Sequence, residues 1–212
     1  MDINNLLNFD LWFHIAISNP ESFAAINSVN RDIYNYTKGD IEKYKHKFTI
    51  VVHEGVIKYG KLPNGDKHGL YQHWYNDGQL YVQCNYSDGK REGLSQYWYT
   101  GGQLWEQFNY SNGEREGLYQ HWYNNGQLYV QCNYSNGKME GLYQYWYEDG
   151  QLFIQSNYVD GKKEGLYQNW YNNGRLYKQC NYSNGKREGL YQLWYPNGQL
   201  WEQGNYINGR RQ

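Results

Sequence analysis

Only three cysteines and three prolines occur in the 212 residues, the charged groups nearly cancel, and no long apolar run interrupts the chain. Three is an odd number for a disulfide scaffold, and Cys84, Cys132 and Cys180 recur at a constant 48-residue interval, which already hints at a period. Scarce proline beside 24 glycines, 26 tyrosines, 9 tryptophans and 6 phenylalanines excludes both collagen-like and low-complexity disordered chains and points to ordered, β-rich structure. With 20 Lys+Arg against 21 Asp+Glu, the net charge of −1 lacks the basic excess of a phosphate-backbone binder or a polybasic membrane-surface protein, so nucleic acid is not an expected partner. No segment approaches the roughly 18 consecutive apolar residues of a membrane span. The opening MDINNLLNFD is acidic where a secretory signal is basic, and the apolar stretch after it is broken by Asp10 and His14. The expectation is a soluble, intracellular chain.

Residues 69 to 212 divide into six copies of 24 residues without insertion, opened by Gly69, Gly93, Gly117, Gly141, Gly165 and Gly189. The first copy reads GLYQHWYNDGQLYVQCNYSDGKRE and the fifth GLYQNWYNNGRLYKQCNYSNGKRE. Such recurrence defines a repeat protein in which each unit offers its neighbours the same contacts. Each unit carries two hairpin-turn dipeptides, such as Asp77-Gly78 and, eleven residues later, Asp88-Gly89. Both suit two-residue type I′ turns, and no apolar period of 3.6 residues survives between them, so two strands per unit are predicted and helix is excluded.

With two-residue turns, Tyr75 pairs with Leu80 and His73 with Val82, and parity sorts the side chains onto two faces. One face carries the nearly invariant Leu70, Gln72, Trp74, Tyr81, Gln83 and Asn85. The other carries Tyr71, Tyr75, Leu80 and Tyr86 with the positions that vary: His73, Tyr97, His121, Tyr145, Asn169, Leu193; Val82, Glu106, Val130, Ile154, Lys178, Glu202; and Cys84, Phe108, Cys132, Ser156, Cys180, Gly204. Perfect two-residue turns displace each strand's second neighbour by two residues per repeat. The opening glycine, inside a strand, is the expected bulge that absorbs the displacement.

At ~4.8 Å between strands, copies of a position lie about 10 Å apart and residues two repeats apart about 19 Å. Cystine geometry needs Cα atoms closer than about 7 Å, so the cysteines cannot pair within the chain and read as small residues at a tolerant position. His73 and His121 form part of a row and not a metal cluster. No phosphate loop, nucleophile elbow or metal-ligand spacing is present, so neither catalytic residues nor a cofactor are expected.

The phrase G-L-Y-Q-x-W-Y-x-N-G-x-L-Y-x-Q-x-N-Y-x-N-G-K-x-E resembles the variant form of the MORN repeat over residues 69 to 212. The resemblance implies a mainly β, elongated, single-layer antiparallel meander of hairpins with aromatic ladders, used for protein contacts and in some members proposed for phospholipid contacts. Cross-strand aromatic contacts, at about 0.2–1 kcal/mol each, must hold such an uncovered sheet together. The row Trp74, Trp98, Trp122, Trp146, Trp170 and Trp194 is the candidate spine, or alternatively a platform on which a ligand stacks. The variable face, with Glu106 and Lys178 of opposite sign and His73, Tyr97, His121 and Tyr145 beside them, is the candidate specificity surface for an unidentified protein. The basic residues after the second turns, among them Lys90, Arg91 and Arg115, read either as an anionic-lipid track or, with Glu92, Glu116 and their counterparts beside them, as a solvated edge of alternating charge.

Residues 1 to 44 lack the glycine dipeptides and space aliphatic residues as short helices do, with Asn19-Pro20-Glu21 forming a helix start. The run FDLWFHIAISNPESFAAINSVNRDIYNY resembles a short, divergent F-box, as found ahead of MORN-type repeats in proteins of large DNA viruses. That likeness implies a grip on a Skp1-like adaptor through Leu11, Trp12, Ile15, Phe23, Ile26 and Val29. A helical cap for the open repeat array is the alternative. Residues 45 to 68 read as a worn first repeat, and the last strand, Leu200 to Tyr206, as a free edge through which a homodimer could form.

Overall fold

The computed structural model describes residues 49–62 and 64–212. The predicted helices and the six adaptor-binding candidates, Leu11, Trp12, Ile15, Phe23, Ile26 and Val29, lie outside these residues. The segment expected to be a worn first repeat contains β1 (Ile50–Glu54) and β2 (Ile57–Lys61). The six full repeats supply β3 (Lys67–Trp74), β4 (Leu80–Ser87), β5 (Lys90–Trp98), β6 (Leu104–Ser111), β7 (Glu114–Trp122), β8 (Leu128–Ser135), β9 (Lys138–Trp146), β10 (Leu152–Val159), β11 (Lys162–Trp170), β12 (Leu176–Ser183), β13 (Lys186–Trp194), β14 (Leu200–Ile207) and β15 (Arg210–Arg211). All fifteen join one antiparallel sheet in chain order, the single-layer meander expected from the repeat.

The second turn of each repeat is the two-residue turn the sequence calls for. Asp88 (φ 50°) and Gly89 (φ 77°) are both left-handed between the pair Ser87 and Lys90, as a type I′ turn requires. The first turn corrects the expectation. The Tyr75 amide donates to the Gln79 carbonyl at 2.8 Å and the Gly78 amide to the Tyr75 carbonyl at 3.0 Å, enclosing a three-residue loop, Asn76-Asp77-Gly78. Only Gly78 is left-handed, at φ 87°, because Asn76 and Asp77 occupy an ordinary type I turn and the Asp77 carboxylate accepts the Gln79 amide at 3.0 Å. A bulge then restores the register: His73 faces Val82, but Trp74 faces Leu80, leaving Tyr81 as the extra residue. Of the pairs read from the sequence, His73 with Val82 is therefore kept and Tyr75 with Leu80 is not: Leu80 joins Trp74 on the outer face, and Tyr81 changes to the other.

The opening glycine does absorb the displacement between repeats. Ser156 faces Tyr167 while the next residue, Asn157, faces Glu164, so Gly165 and Leu166 are looped out of the ladder. Gly165 holds φ +75° there. Upstream of the bulge, copies of each position line up across the sheet: Val82 faces both His73 and Tyr97.

Buried side chains all fall on the variable face of the repeats. Cys84, Cys132 and Cys180 are at most 2% exposed, and Val82, Phe108, Val130, Ser95, Ser156, Tyr167, Asn169 and Leu193 are also buried. The surface expected to read a partner is thus largely the core of the protein. A single layer achieves this because large side chains lie over small ones on neighbouring strands. Tyr71 faces Cys84, Tyr119 faces Cys132, Tyr143 faces Ser156 and Tyr191 faces Gly204. In the second repeat the sizes are exchanged, with Ser95 facing Phe108. The cysteines are therefore size-matched and not merely tolerated. Burial pushes their thiols up, Cys132 to about 11, which leaves them protonated and unreactive.

The aromatic ladder runs along this packed face. His73, Tyr75 and Tyr97 surround Tyr81 at centroid distances of 5.3, 5.0 and 6.0 Å, and the line continues through Trp105, His121, Tyr129, Tyr145 and Phe153. Such pairs contribute about 0.5–1.5 kcal/mol each beyond the area they bury. The six tryptophans expected to form the spine make no ring contact with one another. They contribute through the backbone: the Tyr75 hydroxyl donates to the Trp98 carbonyl at 2.7 Å, and Tyr99, Tyr123, Tyr147 and Tyr171 repeat the bond to the tryptophan of the next unit. A second clasp joins the opposite end of the strands, where the Glu92 carboxylate accepts the Asn112 amide at 2.8 Å and the Glu116, Glu140, Glu164 and Glu188 carboxylates repeat it.

Candidate functional site

Parity at β3 to β14, with the first bulge setting Leu80 beside Trp74, leaves the opposite, outer face with the same apolar and amide set in every repeat: two Leu, two Gln, one Trp and one Asn. Leu70, Leu94, Leu118, Leu142, Leu166 and Leu190 are 39–50% exposed, although leucine in water forgoes about 25 cal/mol for each Å² of apolar surface left uncovered. They stand exposed because each belongs to the two-residue bulge after the opening glycine. The adjoining glutamines satisfy each other across the strands, Gln72 donating to Gln83 at 2.9 Å and Gln120 to Gln131 at 2.9 Å, with Gln107 also donating to Gln120 at 3.0 Å. Trp74, Trp98, Trp122, Trp146, Trp170 and Trp194 flank the amides, half-buried. The glutamates that border this surface are engaged with turn amides. The result is a strip of apolar and amide side chains, with the glutamate row across from its asparagines, whose pattern returns with every repeat.

The packed face differs from one repeat to the next. His73, Tyr97, His121 and Tyr145 are half-buried in the aromatic ladder, and Tyr99, Trp105, His121, Trp122, Tyr123, Tyr129 and Tyr145 line an open depression of about 490 Å³. Glu106 lies directly across from His121 and accepts the Tyr119 hydroxyl at 2.8 Å. Burial, followed by that hydrogen bond, holds the Tyr119 phenol above its ordinary range. Burial depresses His121, with Glu106 opposing it. Glu106 and Lys178, named together from the sequence, occupy equivalent positions three repeats apart and do not meet.

The basic residues separate into two sets, which corrects the reading of a single solvated edge. Lys90, Lys138, Lys162 and Lys186 are exposed, and Lys138 pairs with Asp160 at 2.5 Å. Their neighbours turn onto the packed face and lie over tyrosine rings. Arg91 is 5.4 Å from the Tyr110 centroid, Arg115 5.4 Å from Tyr134, Lys163 4.5 Å from Tyr167 and Arg187 5.0 Å from Tyr191. Cation–π contacts of this kind contribute about 0.5–2 kcal/mol. The alternation of strand parity, Lys-Arg-Glu becoming out, in, out, carries this signal in the sequence. The exposed leucines carry one too, in an apolar residue kept in all six units where packing does not require it.

At the far edge, β15 pairs with only Tyr206 and Ile207 of β14, and Arg211 reaches back across Gly204 to an ion pair with Glu202. Among the described residues no group of His, Cys, Asp and Glu side chains is placed to hold a metal ion, and no helix is long and apolar enough to cross a membrane.

Among solved structures, a TarM point mutant from S. aureus in complex with Fondaparinux, alpha-GlcNAc-glycerol and UDP is similar at 11% identity and a TM-score of 0.31, over 64% of this chain and 24% of that one. TarM itself is similar at 13% identity and a TM-score of 0.25, over 74% and 23%. A GtfA/B complex bound to UDP and GlcNAc is similar at 13% identity and a TM-score of 0.22, over 61% and 23%. The chain thus spans about a quarter of the length of these proteins, and likenesses this distant carry no functional argument. No curated protein matches. The MORN repeat variant family matches six times, at residues 67–88, 91–112, 115–136, 139–160, 163–184 and 187–208. These matches coincide with the six hairpin units, and the chain belongs to the MORN repeat variant family.

Proposed function

We propose that this protein is a noncatalytic scaffold that recognises an extended protein partner along the outer face of its sheet. The observation that carries the reading is the row of six exposed leucines on the outer face, with Trp and Gln rows beside it. An exposed apolar row rimmed by polar side chains marks an interaction site. Half-buried tryptophans are suited to anchor such an interface. The packed-face residues His73, Tyr97, His121, Tyr145, Glu106 and Lys178 would then tune the site only where they reach the rim of the sheet.

The reading extends to the N-terminal segment on sequence grounds alone. Its F-box-like run supports a role in joining the captured protein to a Skp1-like ubiquitin-ligase adaptor, in the cytoplasm of a host cell if the protein is viral. The second reading, a scaffold on phospholipid, draws on the exposed Lys90, Lys138, Lys162 and Lys186 along one edge. Affinity capture from the native cell with the full chain and with Leu118→Asp/Leu142→Asp decides between them. The double variant is expected to retain its β-sheet circular dichroism and lose its protein partners. Capture unchanged by the double variant overturns the proposal, and flotation on anionic liposomes that weakens with salt would favour the lipid reading.

A further inference from the structure

The cations on the packed face are balanced by acids in two repeats and not in the fifth. Arg115 lies 5.6 Å from the ring of Tyr119, whose hydroxyl is bound to Glu106, and Arg211 pairs with Glu202. The equivalent position in the fifth repeat is Lys178. Its Nζ is 5.3 Å from the Tyr167 centroid and 5.5 Å from that of Tyr191. Lys163 shares the first of these rings, at 4.5 Å, and Arg187 the second, at 5.0 Å. Three cations are thus gathered around two rings, and among the described residues no carboxylate pairs with any of them. The acids on the same strands, Glu164 and Glu188, are turned away and accept the Asn184 and Asn208 amides. Burial holds both lysines below the usual range, and the charge of Arg187 adds to the effect.

A second observation points into the same place. Asn169, across the ladder from Lys178, is 8% exposed, and its Oδ1 has no hydrogen-bond partner. An unsatisfied buried acceptor is unfavourable, and a ligand hydroxyl donating to it would recover that loss.

We propose that Lys163, Lys178, Arg187 and Asn169 form a binding site for a phosphate monoester that carries a hydroxyl close to its phosphate. The dianionic phosphoryl group offsets most of the charge of the three cations, and the hydroxyl donates to Asn169 Oδ1. The site lies on the face opposite the leucine row, so it does not rest on protein recognition there. It belongs to one repeat alone, because no other unit has a cation at the position of Lys178.

Isothermal titration of the full chain with ribose 5-phosphate, inorganic phosphate and ribose tests the assignment. Ribose 5-phosphate is expected to bind most tightly, inorganic phosphate more weakly, and ribose not measurably. Lys178→Val introduces the residue that equivalent repeats carry as Val82 and Val130, so the sheet tolerates it. This change should weaken both phosphates about tenfold or more, as loss of a charge-assisted contact does, while raising the thermal midpoint of the ligand-free protein by removing repulsion. Asn169→Leu, the residue of the sixth repeat at Leu193, should abolish the preference for ribose 5-phosphate and leave inorganic phosphate binding unchanged. Flotation on phosphatidylcholine vesicles with and without phosphatidic acid separates the sources of the ester. Flotation that requires phosphatidic acid and Lys178 places it in a lipid headgroup, and titration without flotation places it in solution; both support the site. Equal titration of wild type and Lys178→Val overturns the proposal, as does absence of binding to all phosphate probes and to the phosphatidic acid vesicles.

Discussion

At the scale of single residues, the sequence variation inside the repeat has a packing explanation. Ser95 and Phe108 reverse the large–small pairing made by Tyr119 and Cys132, and both are buried, at 0% and 3% exposed. Ser95→Tyr should therefore overpack the pair and destabilise the protein by about 1–3 kcal/mol. The double change Ser95→Tyr/Phe108→Cys should recover most of that loss, because it recreates the arrangement of the other repeats. Urea denaturation of the two singles and the double gives the coupling directly. Which residues shared a face was largely legible in the amino-acid order, since parity alone groups Tyr71, His73, Val82 and Cys84. That this face is the core was not. Its burial depends on tyrosine and arginine side chains from neighbouring strands lying over the small residues, and periodicity carries no information about where long side chains lie. The tryptophan row misled for a related reason: uniformity suggested a stacked spine, whereas the ladder is built from tyrosines together with Trp105, His121 and Phe153, brought together when the bulge moves Tyr81 and its counterparts onto their face.

At the scale of strands and turns, local chemistry decided most of the outcome. Asn-Gly and Asp-Gly at the second turns specify the type I′ geometry observed. At the first turns the same dipeptides follow an Asn, Thr, Glu or Pro that can occupy the right-handed part of a type I turn, and the loop takes three residues. The dipeptide does not distinguish these cases, and the compensating bulge kept His73 across from Val82 while moving Leu80 from Tyr75 to Trp74. The bulge at the opening glycine follows from the mismatch of two residues per repeat. At Gly165 an added Cβ meets nothing within 4 Å, so the cost of a side chain is purely conformational at φ +75°. Gly165→Ala should destabilise by about 1–2 kcal/mol and Gly165→Asn by less, since asparagine adopts the left-handed region more readily. Equal urea midpoints for wild type and Gly165→Ala would show that the bulge can relax to another backbone conformation.

At the scale of the whole molecule, stability is a sum over units and their neighbours. The clasps from Tyr75 to Trp98 and from Glu92 to Asn112 join adjacent repeats and recur at each junction. Removal of residues 117–140, a complete 24-residue unit, brings Glu116 against Gly141 and restores the same phrase at the junction. This shortened chain is expected to keep its β-sheet circular dichroism and a cooperative melt. Removal of residues 121–143, 23 in number, joins Gln120 to Gln144 and moves Tyr145 and Tyr147 to the outer face. That chain should melt earlier and less cooperatively, which thermal scans of the two will compare.

The strict chain order of the sheet also governs how the protein responds to force. Tension applied between its two ends acts across the strands, so the backbone ladders open in succession instead of shearing together. Each unit released lengthens the tether by roughly 70 Å, the extended reach of its 24 residues less the span of about 10 Å it has in the sheet. Because neighbouring units are nearly identical, successive steps need similar loads, and the molecule can yield gradually under traction while the units not yet opened keep their surfaces intact.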